Sequence, residues 1–124
     1  MAIIKDDGSI VAAEVEYADT MLKQIVGLMF RKSVPASYAM VFSMKRDNRE
    51  GIHMLFVRFP IDVVFLDKDK RILDIRRNLK PWTGLAFSKN AFRYAMEMPA
   101  GAVTRAALKL GDRLNWAIGS TGDQ

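Results

Sequence analysis

GIHMLFVRFPIDVVFLD, residues 51–67, holds two apolar runs, 52–57 and 61–66, parted by Arg58-Phe59-Pro60. Runs this short, bounded by a proline and by the turn Asp67-Lys68-Asp69-Lys70, read as two buried strands. Pro60 fixes its own φ and pushes Phe59 towards an extended backbone, so the break between them is a turn. Beyond it, RILDIR (71–76) continues as a strand, and 78–92 has no clear period and reads as a long excursion. RYAMEM (93–98) alternates again, with Tyr94, Met96 and Met98 on one face.

A short helix is expected over Pro99–Leu110, with Val103, Ala106, Ala107 and Leu110 as its apolar stripe. Gly111-Asp112 stops it, RLNWAI (113–118) makes a last strand, and GSTGDQ (119–124) a frayed tail. Towards the N-terminus, residues 2–17 read as a hairpin around Asp6-Asp7-Gly8. Residues 19–31 change to a helical period through Met21, Leu22, Ile25, Leu28 and Met29, with Asp19 or Thr20 able to cap. Gly27 inside that pattern points to close approach of another backbone or to the helix end. YAMVFSM (38–44) is a buried strand and KRDNREG (45–51) a polar loop. The class is therefore α+β and β-rich: a curled, mostly antiparallel sheet or partly closed barrel with two short helices. One domain over 1–118 and a flexible tail over 119–124 are expected.

At 124 residues, half of them hydrophobic, the chain can bury a core without staples. With no cysteine it has neither a disulfide nor a thiolate nucleophile, and no cysteine metal site. No apolar run reaches the roughly 20 residues that span a bilayer, and no signal peptide is read at the N-terminus. A soluble cytoplasmic protein without a membrane partner is expected. The charge is +5 overall, and residues 68–80 carry six basic and two acidic side chains. Such a segment attracts phosphates, although strand edges also carry Lys and Arg to block aggregation.

His53 is the only histidine, and Asp62 is set in an apolar run. If 52–57 and 61–66 paired as a hairpin, a three-residue loop would place the two on opposite faces. A two-residue loop would leave them roughly 13 Å apart. A base and its orienting carboxylate need about 3 Å, so no dyad forms in either register. Asp62 then needs a cap or an arginine as partner, and Arg31 is the one expected. No metal-ligand spacing, phosphate cradle or nucleophile elbow is present, so neither metal nor cofactor is expected.

Three ordered segments carry a resemblance: T-x-x-x-Q-x-x-G-L-M-F-R (Thr20 to Arg31), F-P-I-D-V-V-F-L-D (Phe59 to Asp67), and E-M-P-A-G followed by L-G-D (Glu97 to Asp112). Together they resemble the uncharacterised family called "domain of unknown function one-nine-two", across nearly the whole chain. The resemblance implies a small β-rich domain of bacteria and archaea without an established activity. Its motif positions fall on Gly27, Leu28, Met29, Arg31, Pro60, Asp62, Glu97, Gly101, Gly111 and Asp112. The resemblance also implies that many family members carry an aromatic or other residue at the position of His53, and that Lys23 stands where a capping Glu is typical.

Arg31, Asp62 and Glu97 are charges embedded in apolar segments, where an unpaired ion is costly. Mutual pairing in the core would resolve that cost, and so would a polar pocket for a charged ligand. A non-enzymatic binding or accessory domain with a pocket near these three is therefore the leading expectation, with an anionic ligand. The alternative is nucleic-acid binding through Lys70, Arg71, Arg76, Arg77 and Lys80, with Trp82 or Phe87 stacking on bases. A hydrolase or isomerase using Asp62 or Glu97 as base ranks third.

Overall fold

The structure is a computed structural model that describes residues 2–18, 26–49, 51–54 and 56–116, with only the backbone of Asn48 and His53. It is β-rich and mostly antiparallel, and its sheets do not close into a barrel. Among the described residues there is one short helix.

The N-terminal hairpin forms as β1 (Ile3–Lys5) and β2 (Ile10–Ala12) around Gly8, whose φ of 87° suits a residue without a Cβ. The second strand of that hairpin does not run on to Tyr17. At Ala13 the chain leaves the first sheet, and the Ala13 and Glu14 N–H groups both donate to the Ser37 carbonyl. β3 (Glu14–Ala18) then pairs in parallel with β4 (Tyr38–Asn48). β4 takes in much of the polar loop expected at 45–51. Residues 27–30 form a turn, so the helix expected over 19–31 has ended by Gly27; its residues 19–25 lie outside the described ones.

β5 (Ile52–His53) does not form a hairpin with β6 (Ile61–Leu66). It pairs instead with β8 (Leu85–Ala86), inside the stretch read as an excursion. β6 is hydrogen-bonded to β7 (Ile72–Leu79) on one side and to β9 (Phe92–Pro99) on the other. The main sheet has the order β3-β4-β9-β6-β7. Next comes helix α1 (Ala102–Arg105), then β10 (Leu114–Asn115), which joins β1 in a second sheet ordered β10-β1-β2. Residues 117–124 lie outside the described ones, and with them the expected tail.

β6 is buried at all six positions, which explains its unbroken apolar reading. Its alternate residues feed two cores. Val64 and Leu66 join Ile3, Val41, Met96, Met98, Val103 and Leu114 under the second sheet and α1. Ile61, Val63 and Phe65 join Leu28, Met40, Phe42, Met54, Val57 and Phe92 on the other face, beneath the loops around 28, 54 and 86. The helix is shorter than the expected 99–110, and Leu110 is exposed while Leu108 fills the core. Ala107 stands in the left-handed region at φ 54°. Its N–H donates to the Thr104 carbonyl and that of Leu108 to Val103, the paired bonds of a Schellman stop.

Candidate functional site

Asp62 is the second residue of β6 and is 1% exposed. It is not paired with Arg31. Its Oδ1 accepts the Asn78 N–H at 2.9 Å, and its Oδ2 accepts those of Gly101 and Val103 at 3.1 Å each. Gly101, at the helix start, has no side chain with which to cap it, so the carboxylate of a strand caps α1 across the fold. Three backbone donors offset the cost of burying this charge, and they leave it little capacity for a ligand.

Glu97 lies on the opposite face. Met98 stands across from Asp62, whereas Glu97 faces Val63 on one side and Met40 on the other. Only 6% exposed, it has its carboxyl pushed up to about 8 by burial. The expected cluster of Arg31, Asp62 and Glu97 is therefore not assembled, because strand parity sends the two carboxyls apart.

Arg31 finds a partner that the sequence did not signal. Its NH1 and NH2 donate to the two carboxylate oxygens of Glu16, a bidentate pair, and NH1 also reaches the Tyr38 hydroxyl at 3.3 Å. That hydroxyl donates to Glu16 Oε1 at 2.6 Å, and the guanidinium lies 5.7 Å from the centre of the Tyr38 ring. The bond from Glu16 raises the Arg31 pKa further. Burial, then the bond to Glu16, raises that of Tyr38. Beside this cluster lies a cavity of ≈ 410 Å³, lined among the described residues by Glu16, Tyr17, Ala18, Val26, Gly27, Arg31 and Met40. Its volume falls in the range of small-molecule sites. Glu16 sits on the polar edge of β3, 15 positions from Arg31, and only the parallel β3–β4 pairing brings it into place.

The basic segment does not form one patch. Lys70 Nζ donates to the Trp116 carbonyl at 3.0 Å and sits 4.4 Å from that ring's centre; burial, then the charge of Arg113, lowers its pKa. Arg71 reaches the Gly111 carbonyl at 3.5 Å, and Arg76 pairs with Asp74 and with the Ile75 carbonyl. Arg77 and Lys80 remain exposed, at the far end of β7 from Lys70.

Trp82 belongs to an aromatic cluster that draws on three separate segments. Phe30, Phe56 and Trp82 are 67%, 37% and 50% exposed. Phe30 stacks on Phe56 at 5.1 Å, and Trp82 meets Phe56 edge-on at 5.3 Å. All three have left-handed backbone, with φ of 67°, 62° and 67°. Bulky residues rarely adopt it, at a cost of order 1–3 kcal/mol each, unless their surroundings impose it. Here the Phe30 N–H donates to Phe56, and that of Trp82 to both Met54 and Val57. Gly84 completes the clamp, since a Cβ there would sit 2.6 Å from the Lys80 carbonyl oxygen. His53 has only its backbone described, paired with Leu85. Among the described residues no group of three or more His, Asp or Glu is placed to hold a metal ion, and no helix is long and apolar enough to cross a membrane.

The family model DUF192, described as "Uncharacterized ACR", matches residues 2–116. A UPF0127 protein of Pyrococcus furiosus is 36% identical over 111 residues, 88% of this chain and 91% of that one. A UPF0127 protein of Thermococcus sibiricus is 33% identical over 120 residues, 95% of this chain and 75% of its own length. Among solved structures, a Sinorhizobium meliloti protein described as a candidate transcription regulator superposes with a TM-score of 0.82 at 27% identity, covering 92% of this chain and 89% of its own. A Novosphingobium aromaticivorans protein of unknown function gives 0.82 at 24% identity, covering 93% and 82%, which shows the shared fold alone.

Proposed function

The chain belongs to the uncharacterised DUF192 family, and from that premise we propose that it is a non-enzymatic binding domain whose small ligand occupies the cavity beside Arg31. The observation that carries this reading is the ≈ 410 Å³ cavity with the paired Arg31 and Glu16 at its wall and Tyr38 bonded behind them. Among the described residues its other walls, Ala18, Val26, Gly27 and Met40 with Tyr17, are mainly apolar, so the ligand has an apolar body and a polar, anionic end. Arg31 uses NH1 and NH2 on Glu16, which leaves further guanidinium N–H donors for such a group. Of the two bases that a catalytic alternative could use, Asp62 is committed to three backbone donors, on the face opposite Glu97.

Anilinonaphthalene sulfonate, an apolar ring system with one anionic group, is a suitable probe. Titration is expected to give one saturable site. Arg31→Gln should weaken it about tenfold, the worth of one charge-assisted hydrogen bond, and Val26→Trp should block it by filling the cavity. Trp82→Ala should leave it unchanged. Binding unaffected by both cavity variants, with each shown to be folded, would refute the assignment.

A further inference from the structure

The three segments that surround the aromatic cluster share a charge pattern. Residues 26–32, 51–60 and 80–90 contain Arg31, Lys32, Arg58, Lys80 and Lys89, and not one Asp or Glu. Lys32, Arg58 and Lys80 are exposed, and Arg58 and Lys80 each lie two positions from a ring of the cluster. Phe87 and Leu85 add exposed apolar surface on the outward side of β8, where Ala86 faces the core.

We propose that Phe30, Phe56 and Trp82 form a stacking platform for the bases of a single-stranded nucleic acid, with Arg58, Lys80 and Lys32 meeting its phosphates. Flat aromatic faces next to exposed cations are what an unpaired strand offers partners for: every base has a π-face, and every linkage a negative charge. An anionic bilayer would meet the same charge and apolar area. The geometry favours the strand, because these rings are held by left-handed backbone, by the Trp82 bonds to Met54 and Val57, and by each other. Rings fixed in advance cut the ordering cost of binding a flat partner, whereas a fluid bilayer gains nothing from fixed ring planes. The platform replaces the continuous basic stretch 68–80 as the nucleic-acid surface. Of that stretch, only Lys80 belongs to it, with Trp82 just beyond.

The test is fluorescence anisotropy of the intact protein with a short labelled oligothymidine, with sedimentation of phosphatidylglycerol vesicles run in parallel. Saturable binding at about 50 mM salt is expected, weakening roughly twentyfold at about 200 mM if three phosphates are met. Trp82→Leu and Phe30→Leu keep apolar bulk but remove the flat face, and each should weaken oligonucleotide binding about tenfold. Lys80→Gln and Arg58→Gln, exposed changes that leave the core alone, should each flatten the salt dependence. The inference is overturned if no binding occurs at about 50 mM salt. It is equally overturned if the leucine variants bind like the wild type, or if the protein sediments with vesicles while ignoring the oligonucleotide.

Discussion

Glu97 stands directly across from Val63 in the β6–β9 pairing, so a carboxyl has an apolar residue for its closest cross-strand neighbour. Burial holds it protonated up to about 8, whereas in the unfolded chain it ionises near its ordinary 4.5. Between those values the folded protein keeps a proton that the unfolded chain has released. Stability therefore falls as pH rises through that window, by on the order of 5 kcal/mol in total. Urea unfolding at about pH 5, 7 and 9 should show this decline. Glu97→Gln, which cannot ionise, should remove most of it.

Asp62→Asn should cost about 2–3 kcal/mol. The amide cannot accept on its nitrogen, so at least one of the N–H groups of Asn78, Gly101 and Val103 is left buried without an acceptor. Chemical denaturation at pH 7 gives the number. A loss under about 1 kcal/mol would mean that the clasp adds little beyond what water would supply.

Ala107→Gly should stabilise the protein by roughly 1 kcal/mol. The left-handed position after a helix suits glycine, and here an exposed alanine occupies it at φ 54°. A thermal-melting comparison of the two proteins would show the gain as a rise of several degrees.

Alternation and turn residues are local signals, and they made the strands of β1, β4, β6, β7 and β9 legible from sequence. Pairing was not legible where it depends on distant segments. The run 52–57 has the apolar content of a partner for 61–66, yet β5 bonds to Leu85–Ala86, because β6 already has β7 and β9 on its two edges. Asp62 in an apolar run reads as a carboxylate in need of a partner. Charge alone points to Arg31, while the donors that reach Asp62 are backbone groups, which leave no mark in a sequence. Glu16 alternates with Val15 and Tyr17, a pattern that gives its face of the strand but not its partner. The aromatic cluster depends on three positive-φ positions, and Phe30, Phe56 and Trp82 are residues that no turn rule places there.

The parallel pairing of β3 with β4 has one more consequence. Two antiparallel neighbours can be joined by a tight turn, but parallel ones oblige the chain to return along the whole length of the strand. The connection from Ala18 to Tyr38 thus exists because of strand direction, and its described part supplies Val26, Gly27 and Arg31 to the cavity wall. The hollow is a by-product of topology. Exposed wall positions on the connection, such as Val26, can drift without breaking a strand-to-strand bond. A new binding preference could then evolve there while the sheets stay as they are.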